Sequence, residues 1–196
     1  MEKKPKPEWF ASDGTKLASK EEMWFTWWLE DLVKAGYVEH WTYQPRAYPL
    51  TSDVVVSVAK KLKTKTSFKK KTLLQDSTYT PDFEITWRQN AIGLFHADTD
   101  LLQYPLPLFF GTHRNSLIDV KGGWSQDAKK AKFSLIQKML YRFHRLYVNR
   151  VEIPKLFGKT FSPSNPLFYL TPERQDMRKI NHPVRTLAEF IESKEE

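Results

Sequence analysis

Apolar and aromatic residues at positions 24, 25, 27, 28, 29, 32 and 33 recur at helical spacing, in a stretch that follows Ser19 and ends before Gly36. Serine offers its side-chain oxygen to the orphan amides of a first turn, and glycine accepts the left-handed conformation that closes a helix. The pattern predicts a helix that buries a tryptophan-rich face. Beyond it, "YVEHWTYQPRAYPL" predicts a strand broken at Pro45 and a second extended piece, and "YTPDFEITW" a strand from Asp82 to Trp87. A strand ending at Lys121 and a helix from about Asp127 to Tyr147 follow, the latter with apolar positions 133, 136, 139, 140, 143, 146 and 147. "RVEIPKLF" and "PLFYLTP" read as two further strands, and "RTLAEFIE" as a short amphipathic helix. Residues 88–116 have mixed polarity and no sustained period, so they are read as an insertion.

This order of helix, strands, helix, strands and helix predicts an α/β fold, a sheet flanked by helices. At 196 residues, 40% of them hydrophobic, one domain is expected: a basic N-terminal extension over 1–18 and the folded unit over 19–196. No apolar run is long enough to cross a membrane, and "MEKKPKPEWF" has no apolar segment behind it of the kind a secretory signal needs. The expected compartment is the cytoplasm, or the host cytoplasm for a phage-encoded chain. Cysteine is absent, which excludes disulfides, thiolate metal sites and cysteine nucleophiles.

Charge changes the picture more than composition does. The formal net charge is +8, and no acid occurs from Val54 to Gln75, where Lys60, Lys61, Lys63, Lys65, Lys69, Lys70 and Lys71 crowd together. The alternating "LKTKTSF" at its centre reads as an exposed strand or β-arm. Lysines also protect strand edges from aggregation, but seven exceed that need, and contact with nucleic-acid phosphates is favoured. Lys129, Lys130 and Lys132, with Lys138, Arg142 and Arg145, lie on the second long helix and extend the basic track, which Arg46 can join.

The candidate chemistry lies in "NSLIDVKGGW", residues 115–124. Side chains alternate along a strand, so Leu117, Asp119 and Lys121 share one face, Ile118 and Val120 the other. Pro81 biases its predecessor toward extended backbone and puts Asp82 at the start of a strand. If the two strands pair, Asp82 and Asp119 approach, and their repulsion calls for a cation between them; magnesium, which takes one or two carboxylates plus water and phosphate oxygens, suits such a place. Glu22 is the third acid at an element boundary. On its own residues, Ser19-Lys20-Glu21-Glu22 is a capping box, and Glu21 is the alternative ligand if the helix starts one residue differently. "GKT" at 158–160 lacks the upstream glycine of a phosphate-binding loop and is set aside.

Pro81-Asp82 followed by Asp119-Val120-Lys121, with Glu22 on the preceding helix, resembles the PD-(D/E)XK nuclease superfamily, most closely its small phage-type endonucleases related to Holliday-junction resolvases. The chain is also similar to the nuclease subunit of heteromeric transposases. The resemblance implies a restriction-endonuclease-like fold, a mixed central sheet flanked by helices. It implies a metal-dependent endonuclease in which Glu22, Asp82 and Asp119, with the Val120 carbonyl, hold Mg²⁺ (Mn²⁺ can substitute) and Lys121 positions the attacking water. Gln137 is a weaker correspondence to a polar residue that assists some members. DNA, branched or at a junction, is the implied substrate, and a homodimer the accompanying expectation. Two alternatives stand beside it: a non-catalytic DNA-binding or recombination accessory protein, and a transposase subunit that needs a partner protein. Asp82 and Asp119 lie 37 positions apart, so the insertion must loop out without disturbing the strand pair.

Overall fold

Two helices, one on each face of a mixed sheet, fix where every candidate residue falls. The computed structural model describes residues 7–91, 94, 108–110, 113–122, 127–171 and 176–195. In chain order the elements are β1 (Trp9–Phe10), β2 (Lys16–Leu17), α1 (Lys20–Lys34), β3 (Val38–Tyr43), β4 (Tyr48–Thr51), β5 (Val54–Lys61), β6 (Thr66–Leu74), β7 (Ser77–Tyr79), β8 (Phe83–Trp87), β9 (Leu108–Phe110), β10 (His113–Lys121), α2 (Asp127–His144), β11 (Val148–Glu152), α3 (Ile153–Lys159) and α4 (Leu187–Glu195). The five-stranded sheet runs β11-β10-β8-β3, with β9 also on β10; β10 and β11 are parallel and the other pairs antiparallel. The chain is thus a mixed α/β protein with a mixed sheet and helices.

The alternation along β10 divides the core. Ile118 and Val120 join Phe83, Ile85 and Trp87 beneath α1, in a cluster that takes in Phe25, Trp28, Leu29 and Leu32 and extends to Phe157, Phe161, Phe168 and Phe190. Leu117 turns the other way, toward Phe133 and Leu140 of α2, Val148, and Tyr48 and Leu50 of β4. Trp28 sits at the centre of the first cluster, stacked on Phe25 at 5.6 Å and Phe161 at 5.3 Å between ring centroids. Its indole N–H donates to Thr160 Oγ1 at 3.3 Å, so the polar tip of a fully buried ring is satisfied. Among the described residues no helix is long and apolar enough to cross a membrane.

Several expectations are corrected. The second long helix ends at His144, three residues early, because Arg145 takes a left-handed φ of 57° and closes it. Only Val148–Glu152 of the "RVEIPKLF" region is strand; Ile153–Lys159 is helix, with Pro154 in the first turn, where its fixed φ fits and its missing N–H is not needed. "PLFYLTP" is no strand either: Pro166–Tyr169 is a 3₁₀ turn, capped by Asn165 Oδ1 accepting from the Leu167 amide at 3.0 Å. The insertion is shorter than 88–116, since β10 already begins at His113; residues 92, 93, 95–107, 111 and 112 lie outside the described residues. Within the basic arm, the centre of "LKTKTSF" forms the turn of a hairpin, closed by the Leu62 amide donating to the Lys65 carbonyl at 2.8 Å. Part of the expected extension is folded: β1 and β2 pair, and Ala11 and Leu17 are buried.

Trp28→Ala removes two ring stacks and leaves Thr160 without its donor. A loss of about 3–5 kcal/mol is expected in urea unfolding, and a change below about 1 kcal/mol would mean that this aromatic stack does not anchor the core.

Candidate functional site

Strand register assembles the site. β8 and β10 pair antiparallel up to Phe83 opposite Ile118, and one residue further along each strand stand Asp82 and Asp119. The pairing thus survives the long separation in sequence, and both acids lie where β8 begins and β10 approaches its end. The Val120 amide donates to Asp82 Oδ2 at 2.7 Å, which fixes that carboxylate against the backbone of β10. Asp119 Oδ1 accepts from the Tyr79 hydroxyl at 2.7 Å. Its Oδ2 is buried and meets the Lys121 ammonium at 2.6 Å, with no hydrogen-bond donor from the other described residues. Lys121 Nζ also stands 3.9 Å from Asp82 Oδ2, so a single ammonium faces both acids. Asp119 and Lys121 do share one face of the strand.

The electrostatics follow from this crowding. Burial pushes the Asp82 carboxyl up to about 7, and the neighbouring Asp119 charge adds to the rise, while Lys121 and the Val120 amide oppose it. Burial, then the Asp119 charge, raises the Tyr79 phenol well above its ordinary value, so it remains a donor to that acid. Two carboxylates held side by side at a strand end are a costly arrangement, and such perturbed groups concentrate where chemistry or binding takes place.

Glu22 belongs to a different assembly. Its Oε2 accepts from the Ala18 amide at 3.0 Å and from the Tyr43 hydroxyl at 2.8 Å, its Oε1 from Ser19 Oγ at 3.1 Å, and its own amide donates to Ser19 Oγ. This is the capping arrangement with a tyrosine added, and it occupies both carboxylate oxygens. Glu21 lies against the end of β10: a Cβ placed on Gly122 would stand 3.3 Å from Glu21 Oε1, which explains a glycine there. Gly123 lies outside the described residues. Among the described residues no three His, Asp or Glu side chains form a group able to hold a metal. The donors that do fit a hard divalent cation are Asp82 and Asp119, a crowded pair with one buried oxygen met only by an ammonium, and magnesium needs no more than one or two carboxylates.

Sequence reasoning missed Tyr79, Tyr43 and Gln44. Gln44 has a left-handed φ of 45°, its amide donates to the Asp82 carbonyl at 2.9 Å, and its side chain donates to the Tyr43 hydroxyl. Strain of that kind in a non-glycine residue beside two acids accompanies function more often than packing. The available signal was the tyrosine three residues before Asp82 and the "YQP" turn. Gln137 lies elsewhere: its side-chain amide donates to the Val148 carbonyl at the start of β11, while the acids lie toward that strand's far end.

Of the basic residues, Lys60 and Lys61 end β5, Lys63 and Lys65 are in the turn, and Lys69, Lys70 and Lys71 lie on β6, all exposed. Arg46 is exposed and stacks on Tyr48, 4.7 Å from its ring centroid. Lys130 and Lys132 are exposed on α2; the side chain of Lys129 lies outside the described residues. The class these observations define is a mixed α/β protein with a carboxylate pair and a lysine at one strand end and a separate basic ribbon. Comparison with known protein families, with curated proteins and with solved structures finds no match.

An Asp82 that holds its proton more tightly when folded than when unfolded makes stability fall as pH rises from about 4 to about 7, after which its contribution is flat. In EDTA, Asp82→Asn is expected to raise the thermal midpoint over wild type more at about pH 8 than at about pH 5. Equal shifts at both would show that Asp82 ionises as an ordinary aspartate.

Proposed function

We propose that the chain is a metal-dependent endonuclease acting on DNA, with a restriction-endonuclease-like core, in which Asp82 and Asp119 hold Mg²⁺ and Lys121 serves the reacting phosphate. The observation that carries this reading is the convergence of Asp82, Asp119 and Lys121 at one end of the β8–β10 pair. The order and elements match the PD-(D/E)XK resemblance, and the lysine ribbon supplies a surface for a polyanion. Bound magnesium would bring positive charge to the phosphate and make water a stronger nucleophile. Tyr79 holds Asp119 in place, and the Val120 amide holds Asp82, so the pair is oriented before substrate arrives. Lys121, partly exposed, can hold a water and face a phosphate once its charge is not spent on the acids. Glu22 supports the site from outside: through Tyr43 it fixes the start of α1 beside the turn that carries Gln44.

The test is cleavage of a labelled four-way junction, a linear duplex and a single strand with Mg²⁺ or Mn²⁺. Wild type is expected to cut, with the junction preferred, and Asp119→Ala and Lys121→Ala to lose at least about 100-fold in rate. Glu22→Gln, which keeps the capping geometry, is expected to retain most activity. Inert wild type on all three substrates would refute the enzyme reading.

One observation favours a second reading, a DNA-binding protein without chemistry: Lys121 already neutralises the acid pair, and the capping network takes up both Glu22 oxygens. On that reading Asp82→Ala and Asp119→Ala bind DNA as wild type does, and added Mg²⁺ leaves the thermal midpoint of wild type unchanged. A midpoint that rises with Mg²⁺ in wild type and not in Asp119→Asn supports the metal site independently of cleavage.

A further inference from the structure

We propose that the β5–β6 ribbon is a groove-reading arm, which enters the major groove of duplex DNA with the face that carries Val55, Ser57, Ala59, Phe68 and Lys70. The proposal shares with the nuclease reading only its partner, DNA, and does not depend on the acid pair.

β5 and β6 form a two-stranded sheet that pairs with no other strand. An isolated ribbon of this kind is marginal in water and normally gains its stability from something laid against it. The register places Val55 opposite Thr72, Ser57 opposite Lys70, Ala59 opposite Phe68 and Lys61 opposite Thr66 on one face. Val56, Val58, Lys60, Ser67, Lys69 and Lys71 occupy the other. The faces differ in cover. Val56 and Ser67 are half-buried, while every residue named on the first face is exposed, Phe68 at 71% and Val55 at 54%. Large apolar side chains on a two-sided exposed ribbon are an aggregation hazard unless they have a partner.

Charge says which partner. From Val54 to Leu74 the arm has seven lysines and no acid, and the register puts no lysine directly opposite another. Its charge is therefore not neutralised within the arm and is spread over both faces and the turn, as a ribbon flanked by phosphates on either side requires. Eight residues of β5 span about 26 Å, and the B-form major groove, about 12 Å wide, admits a two-stranded ribbon. Ser57, Thr66 and Thr72 offer hydroxyls to base edges, Val55 and Phe68 offer apolar contact to thymine methyls, and the lysines of the outer face reach the phosphates along their flexible stems. The major groove of A-form RNA is too deep and narrow for the same fit.

A chain without cysteine allows a single reactive thiol to be placed at will. Phe68→Cys and Val58→Cys put one thiol on each face, and alkylation is followed in EDTA with and without duplex DNA. Duplex DNA is expected to slow the reaction about tenfold for Phe68→Cys and less than about twofold for Val58→Cys, since an interface excludes reagent as it excludes water. Equal protection of both faces, no protection, or equal protection by duplex RNA or poly-glutamate would overturn groove entry. The triple variant Lys69→Glu, Lys70→Glu, Lys71→Glu, exposed and outside the core, is expected to reduce the slope of log affinity against log salt by about 2 to 3. An unchanged slope would also overturn the proposal. Cleavage lost through Asp119→Ala with Phe68→Cys protection retained separates a failure of the acid site from a failure of the arm.

Discussion

The pairing of β8 with β10 is the constraint on which the rest depends. A one-residue slip would turn Ile118 and Val120 out from beneath α1 and bring Leu117 and Asp119 into that apolar cluster, so the register is held by burial on two faces. The same register leaves Asp82 and Asp119 opposite each other. Core packing and the candidate chemistry are therefore one decision: the side chains that make the strand pair stable also compel two acids to share a strand end, with Lys121 next along the face.

That explains why an unfavourable arrangement persists. Nothing local rewards a carboxyl pushed up to about 7 by burial and a like charge. The aromatic cluster around Trp28 and Phe83 supplies the stabilisation that holds the strands, and the Val120 amide and Tyr79 hydroxyl limit the electrostatic cost at the acids. Local rules are broken here and obeyed elsewhere, which is the pattern of a site kept for function.

The parts legible in the sequence were those fixed by short-range periodicity or a single residue's chemistry. Helix α1 with its Ser19 cap, the alternation along β10, Asp82 at a strand start and the exposed basic arm all follow from neighbours within a few positions. The misread elements turn on proline in a role that periodicity does not reveal: Pro154 and Pro166 begin helical turns inside apolar runs that look like strands. In the site, the acids and the lysine were visible because like charges beside strands stand out. Tyr79 and Tyr43 were not, since an aromatic in a strand looks like core until the fold shows where its hydroxyl goes. Glu22 shows the converse. Its position matched the resemblance, while the capping box, readable from four consecutive residues, describes what its oxygens do.

The two halves of the proposed activity rest on opposite mechanical principles. The acids stand on the most constrained strands, because a cation and a phosphate must meet them within fractions of an ångström. The lysines stand on a ribbon with no sheet neighbour, which can adapt to a groove whose width varies with sequence. Separating them also keeps the arm's positive charge from being spent on the chain's own acids: Lys121 alone answers Asp82 and Asp119, and the seven arm lysines stay available to a polyanion. A net charge of +8 placed in this way attracts DNA over a distance set by salt, while the short-range pair at the strand end is screened much less and decides what happens after contact.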